Sequence, residues 1–428
     1  MPTFWNDLPS LQDISDKINV KKFNNKSIED FKESIMYFLQ DFLKSNIRLY
    51  EEYNFEKNLY DNIYNIILNT YGSDIVDSIN LSIDIIIKEC IDLYFLIFDN
   101  PRSFKNTFII SKPDIKYVNS VFEKIKSKVQ PDQRTDEWYD FRWNMLTASS
   151  IYKALDTQAK QNELIVDKCK PINKKKYSSV NTESAFHFGH KFEPLSTNLY
   201  EYLFNTKVGE FGCIRHDKYN FIGASPDGIN ILETNKRFGR LLEIKNPKSR
   251  EITGIPKKEY WVQMQIQMEV WNLNECDFLE TKFVEYKTEE EFNNDGKWFY
   301  TKDNQYKGKF VQFLHENKPH YEYPPFHISK KKYDEWYNEI REKNNHMTWI
   351  KDIFWKLDTY SCILVTRNKL WFKTVLPQFK TIWDTILKER KTGYNHRLPK
   401  KKQQTNNKIE EKTNNKIVNV IRIDTSDI

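Results

Sequence analysis

Apolar residues recur at three- and four-residue intervals through the first part of the chain. Phe31, Ile35, Phe38, Leu39 and Phe42 form one stripe, and Ile75 to Phe98 is a second apolar stretch, closed by Asn100-Pro101. Tyr117, Val121 and Ile125 mark a third. This is the spacing of an amphipathic helix, so residues 1–128 read as a helical N-terminal region. The pattern changes after about residue 130. Short runs at Val208–Ile214, Asn220–Ala224, Ile229–Leu232, Leu241–Lys245 and roughly Phe278–Tyr286 predict strands. Helical spacing lies between them near 146–156, 190–204 and 256–273. Interleaved helices and strands predict an α/β (α+β) core over residues 129–290, with a central mixed sheet flanked by helices. From about 330 the helical interval returns, at Tyr333, Trp336 and Ile340 and again at Trp371, Val375, Phe379, Ile382 and Ile386. Residues 291–390 are therefore expected to be a mostly helical extension of the core. Lys, Asn, Gln, Glu and Thr dominate residues 391–428, which predicts a disordered basic tail. Only Ile417–Ile423 in it could add a short strand.

Composition narrows the class. The 428 residues are 39% hydrophobic and 15% aromatic, enough to build real cores in two or three domains. The net charge of +6 is modest, but basic groups cluster at Lys168–Lys176, Lys236–Arg250 and Arg397–Lys402. Such clusters are ordinary solvated loops unless they flank a site that needs to attract phosphate. Cys90, Cys169, Cys213, Cys276 and Cys362 are far apart and form no CxxC, which excludes a zinc ribbon and a local four-cysteine iron–sulfur site. Scattered thiols fit a reducing, intracellular compartment. The apolar stretch Ile83–Phe98 carries Asp84, Lys88, Glu89 and Asp92, so it reads as a buried helix and not as a membrane span. The first residues do not have the pattern of a signal peptide, and a soluble protein is expected. No GxxxxGK[ST] motif is present to mark an ATPase motor.

The candidate chemistry sits in the middle of the chain. Sixteen residues separate Asp227, in the turn Ser225-Pro226-Asp227-Gly228, from Glu243, in the strand Leu241-Leu242-Glu243-Ile244-Lys245. Residues i and i+2 of a strand share a face, so Glu243 and Lys245 project together and Ile244 turns away. If Asp227 lies on the preceding strand of a hairpin, its carboxylate can meet that of Glu243. Two hard carboxylates can hold a divalent cation such as Mg²⁺, and a lysine beside them can orient or help deprotonate water. On a helix following Pro256, Tyr260, Gln263 and Gln267 fall on one face, beside the apolar Met264, Met268 and Trp271. His187 and His190 straddle Gly189, and structural or surface roles outweigh a ligand role for both.

The segments QRTxEWxxxR followed by LTAS (residues 133–149), GxxxE (Gly189 to Glu193), SPDG, LEIKxP and YxxQxQ, in this order, resemble the family of bacteriophage lambda exonuclease and the YqaJ-like viral recombinase nucleases, within the PD-(D/E)XK superfamily. The resemblance covers roughly residues 130–290. It implies a restriction-endonuclease-like core and a metal-dependent deoxyribonuclease, a 5′→3′ exonuclease on linear duplex DNA acting in recombination, repair or genome processing. By the same resemblance Asp227 and Glu243 ligate the metal with the Ile244 carbonyl, Glu193 serves a second metal or its waters, and Lys245 positions or activates the water. Gln263 orients groups around the site and Tyr260 touches the substrate backbone. Arg142 and Ser149 match positions that grip a 5′-phosphate, a task suited to the planar guanidinium fork. Trp138 either stacks on a terminal base or packs in the core. The cofactor implied is Mg²⁺, with Mn²⁺ able to substitute. The partners implied are DNA and a single-strand annealing protein, with a homo-oligomer left open and no membrane. The Asn, Lys and Ile bias suits a large DNA virus of a eukaryote, which would place the protein in host cytoplasm or nucleus. A structure-selective endonuclease and a DNA-binding replication module with a vestigial site are the alternatives.

Overall fold

The computed structural model describes residues 25–73, 81–132, 135–172 and 184–399. Gln133, Arg134, the end of the first basic run (residues 173–176) and the tail from residue 400, with its Ile417–Ile423 strand, lie outside the described residues. Three helices open the described chain: α1 (Asn25–Ser45), α2 (Phe55–Tyr71) and α3 (Leu81–Ile97). Ile35 and Leu39 of α1, Leu59 and Ile63 of α2 and Ile86 and Ile87 of α3 are all buried, the outcome expected from their helical spacing. α4 (Ile115–Lys126) follows, capped by Asp114, whose side chain accepts from Tyr117 N.

The remaining helices frame a sheet. They are α5 (Asp136–Trp143), the short α6 (Ala148–Ile151), α7 (Gln158–Cys169), α8 (Ala185–Phe204), α9 (Lys258–Trp271), α10 (Glu289–Asn294), α11 (Lys330–Lys343) and α12 (Lys369–Thr392). The strands are β1 (Leu146–Thr147), β2 (Val208–Gly209), β3 (Ile214–Arg215), β4 (Ile222–Ala224), β5 (Gly228–Asn230), β6 (Leu241–Lys245), β7 (Glu275–Glu285), β8 (Lys307–His315), β9 (Lys318–Glu322) and β10 (Thr348–Thr366). Seven strands pair in the order β2-β5-β6-β7-β10-β8-β9, and β1-β4-β3 form a small second sheet. β6 and β7 run parallel, joined by the crossover helix α9, while the other pairs of the large sheet are antiparallel. This is the mixed α/β sheet with flanking helices that the strand pattern predicts.

One expectation is corrected. Residues 291–390 are not mostly helical: they supply β8, β9 and the nineteen-residue β10, which extend the sheet past β7. The core sheet therefore does not end near residue 290. Ile353, Trp355 and Leu357 of β10 are buried at a two-residue interval, the strand period, and pack with Phe192 of α8 and Phe283 of β7. The β8–β9 hairpin turns at Glu316-Asn317, both with positive φ (48° and 59°), the backbone twist that a two-residue hairpin loop requires.

The N-terminal helices are continuous with this core. Tyr50 stacks on Trp261 of α9 at 6.3 Å, and Trp261 meets Trp371 of α12 edge-on at 5.1 Å. Each fully buried aromatic of this kind contributes about 1.5–3 kcal/mol by burial. The buried Glu51 receives Lys258, Arg48 and the Trp371 indole N–H. The back of α9 is thus anchored in one apolar core, which fixes what its front can present. Among the described residues no helix is long and apolar enough to cross a membrane.

Candidate active site

Asp227 sits one residue before β5, and its backbone N donates to Leu242 O at 3.1 Å, so the hairpin with β6 begins at the acid itself. Gly228 is demanded by close approach: a Cβ there would lie 2.2 Å from Val208 of the neighbouring strand. The Asp227 Oδ2 accepts the Ile244 N–H at 2.6 Å. That bond draws the acid across the hairpin to the strand that carries Glu243 and Lys245. Glu243 is fully buried; Lys245 Nζ donates to its Oε1, and Gln267 Nε2 to its Oε2 at 2.6 Å. The three groups predicted from spacing alone do converge.

The charges are strongly coupled. Burial, then the neighbouring Glu243 charge, push the Asp227 carboxyl well above the ordinary aspartate value, against the opposing pull of Lys245. Burial lowers the Lys245 pKa, but the charges of Glu243 and Asp227 outweigh it and the ammonium is held above the usual lysine value. Two carboxylates facing one ammonium leave an acid with proton affinity to spare. Asp227 Oδ1 and Gln267 Oε1 accept no hydrogen bond from a described residue, and the latter is buried. Two hard oxygens, a nearby carbonyl and spare acceptors fit Mg²⁺, which takes one or two carboxylates and fills its shell with water and phosphate. Among the described residues no three His, Cys, Asp or Glu side chains gather into a complete cage.

Glu193 stands on α8, half-exposed, with Oε2 3.7 Å from His190 Nδ1. Its charge acts on Asp227, so it belongs to the same electrostatic group. Its helix is locked to the end of β6 by Asn246, which donates to Gly189 O at 3.0 Å and accepts from Ser196 Oγ at 2.7 Å and from Thr281 Oγ1. His187 of the same helix pairs with the Tyr321 hydroxyl at 2.7 Å, a structural contact.

α9 supplies the far wall. Gln267, and not Gln263, reaches Glu243. Gln263 is half-buried and makes no hydrogen bond with a described residue, while Gln267 is fully buried and also donates to Ser225 O at 3.2 Å. Tyr260 is half-buried with Lys245 Nζ 5.3 Å and the Arg250 guanidinium 5.7 Å from its ring centre.

Arg142 and Ser149 are also brought together, from α5 and α6, with Nη2 3.4 Å from Oγ. α5 buries no residue completely; Trp138 is half-buried, its indole nitrogen is buried with no hydrogen-bond partner among the described residues, and its ring carries the Arg142 guanidinium at 4.5 Å. Sequence reasoning counted Lys168 only as part of a basic run. Its Nζ donates to Arg142 O at 2.7 Å, and burial, then Arg142 and Arg390, bring its pKa down to about 7. Arg390 of α12 closes this basic corner by donating to Lys168 O at 2.9 Å and to Trp143 O at 2.7 Å and stacking on Trp143 at 3.4 Å. Spacing could not have revealed Arg390, which is more than two hundred residues distant in sequence.

Residues 137–274 match the model of the YqaJ-like viral recombinase domain, which bears out over those residues the resemblance carried by the motifs. An uncharacterised protein of Acanthamoeba polyphaga mimivirus is 31% identical over 309 residues, or 63% of this chain. The aligned part is 55% of that protein, so the chain spans about half the length of this curated relative. Among solved structures, an alkaline exonuclease from Laribacter hongkongensis aligns with 61% of this chain and 95% of its own, at TM-score 0.34 and 18% identity. A phage-related exonuclease from Haemophilus somnus aligns with 57% of this chain and 93% of its own, at TM-score 0.29 and 11% identity.

Proposed function

We propose that this chain is a Mg²⁺-dependent deoxyribonuclease that hydrolyses linear duplex DNA from its ends in the 5′→3′ direction, in viral-type recombination or genome processing. The observation that carries the reading is the bond from Ile244 N to Asp227 Oδ2, which delivers a second carboxylate to the strand face bearing Glu243 and Lys245. A bound divalent cation supplies Lewis acidity and an activated water. Asp227 and Glu243 would hold it, with the Ile244 carbonyl and Glu193 as further oxygen donors, and Mn²⁺ would serve in its place. Gln267 fixes the orientation of Glu243, and Lys245 keeps an ammonium on the water side of the pair. That ammonium stabilises negative charge as it develops on the phosphoryl oxygens.

The second cluster supports an end preference. Arg142 stands beside the Ser149 hydroxyl, and the charges of Arg142 and Arg390 both act on the neighbouring Lys168. Three cations at one place repel each other unless an anion joins them, and a terminal 5′-phosphate is a doubly charged anion that accepts guanidinium bonds in a bidentate manner. Trp138 presents a ring to the same corner and would stack beside the terminal base. The chain would leave a 3′ single strand for an annealing protein to take up. A homo-oligomer that encloses the duplex is compatible with such processive digestion.

End dependence tests the reading. With Mg²⁺, linear duplexes bearing 5′-phosphates should be digested faster than those bearing 5′-hydroxyls, and covalently closed circles should survive. Circles cut as readily as linear duplexes would replace the exonuclease by an endonuclease. Tight DNA binding with no product in Mg²⁺ or Mn²⁺ would make the site vestigial.

A further inference from the structure

β6 and β7 run parallel in a register that sets Glu243 opposite Phe278 and Lys245 opposite Glu280. Residues paired directly across a sheet share a face, so Glu280 stands on the same face as the acid pair and its lysine. It is only 2% exposed. Its Oε1 is ion-paired with Arg250, and its Oε2 is buried with no hydrogen-bond partner among the described residues. A buried carboxylate oxygen without a donor is costly, and in a folded protein it calls for an explanation. Burial pushes the Glu280 carboxyl above the ordinary glutamate value, against the opposing pull of Arg250, then of Lys257 and Lys245. Tyr260 walls the space between them, with both Lys245 and Arg250 against its ring.

We infer that Glu280 is a positioning residue for Lys245: it takes the ammonium when Glu243 and Asp227 are engaged by a divalent cation. The inference rests on the metal-dependent reading above. In the structure Lys245 is the counter-ion of Glu243. An ammonium and a divalent cation cannot share that carboxylate without strong repulsion, so the side chain has to turn to another acceptor. The Glu280 Oε2 is a buried, anionic and unpartnered acceptor on the same sheet face. Gln267 Oε1 is also unpartnered, but it is a neutral amide oxygen, and its own Nε2 is tied to Glu243 Oε2 and Ser225 O. Arg250 holds the other Glu280 oxygen, which opposes the effect of burial and orients the carboxylate for the arriving ammonium. Lys245 thereby remains charged and beside the reacting phosphate, and the acid pair is released for the cation.

The test is Mn²⁺ binding to the full chain without DNA, by isothermal titration calorimetry. Glu280→Gln is expected to weaken Mn²⁺ binding about tenfold, because Lys245 then stays on Glu243 and competes with the ion. In a Lys245→Ala background the same substitution is expected to change affinity by less than about twofold. Glu280→Asp keeps the charge and the Arg250 pair but shortens the reach. It is expected to show a smaller loss, again dependent on Lys245, and it serves where Glu280→Gln does not fold. An equal loss with and without Lys245 would reduce Glu280 to a distant charge and overturn the inference, as would unchanged affinity in Glu280→Gln. Coupling of Lys245 to Gln267→Leu, with none to Glu280, would move the role to the amide and overturn it too. Wild-type protein that binds no Mn²⁺ would remove the metal-dependent reading and this inference with it, whereas normal wild-type binding with an inert Glu280 removes the inference alone.

Discussion

Replacing Gln267 by Leu separates two glutamines that are one helical turn apart. Gln267 donates to Glu243 Oε2 at 2.6 Å and to Ser225 O at 3.2 Å, both inside the protein. A hydrogen bond to a charged group contributes about 1.5–3 kcal/mol and one to a neutral carbonyl about 1 kcal/mol. Leucine also removes the unpartnered Gln267 Oε1, which returns about 1–2 kcal/mol of desolvation cost. The net expected loss is about 2 kcal/mol of stability, measured as a shift of the urea unfolding midpoint at unchanged slope. Glu243 also loses the donor that orients it, so kcat on linear duplex should fall by about ten- to a hundredfold, with duplex affinity maintained. Gln263→Leu is the control: a half-buried side chain without a hydrogen bond to a described residue should change stability by less than about 0.5 kcal/mol. A Gln267→Leu variant that unfolds and digests DNA like the wild type, or a Gln263→Leu variant that carries the stability loss instead, would refute this role of Gln267.

Further outcomes follow from the basic corner. Arg142→Lys keeps the charge but loses the planar fork, so the rate advantage of 5′-phosphorylated over 5′-hydroxyl ends should shrink about tenfold in a paired digestion assay. Lys168 has its pKa lowered to about 7, first by burial and then by Arg142 and Arg390, with Cys213 and Asp167 opposing weakly. A phosphate needs the charged form, so the preference for 5′-phosphate should decline as pH rises through about 7. Lys168→Met should show a lower preference that no longer varies with pH over that range. Because this lysine is depressed in the folded state, the free protein should gain stability as pH rises from about 7 toward the ordinary value of 10.5, a gain that urea titrations of the same variant should lack. Arg390→Ala frees the carbonyls of Lys168 and Trp143 and the Trp143 ring, and should cost about 2–3 kcal/mol in urea unfolding together with part of the 5′-phosphate preference.

Local patterns were legible wherever one strand or turn set the chemistry. Glu243 and Lys245 share a face because of the two-residue period of β6, and Asp227 meets them because the Ser225–Gly228 turn opens a hairpin. Arg142 and Ser149 stand in a recognisable motif, and the fold brings them into contact. Helical spacing placed Gln263 and Gln267 on one face but could not say which reaches Glu243, since that depends on how α9 crosses the sheet, a tertiary property. Lys168 and Arg390 come to Arg142 from α7 and α12, and nothing local marks such a meeting. The strands beyond residue 300 were missed for another reason. β8 buries Phe310 and Val311 in succession and β10 carries exposed residues at its start, so the alternation is broken where sheet edges and a register shift intervene.

Asp227, Glu243 and Lys245 are proposed to act as one metal-dependent phosphodiesterase centre. The most direct measurement is release of nucleotides from a 5′-phosphorylated linear duplex across a Mg²⁺ titration, with duplex affinity measured in parallel for wild type, Asp227→Ala and Lys245→Ala. Mg²⁺-dependent release is expected from the wild type, with at least about a thousandfold loss in both variants, each still binding the duplex. Release by either variant at the wild-type rate, or wild-type release that continues in excess chelator, would contradict it.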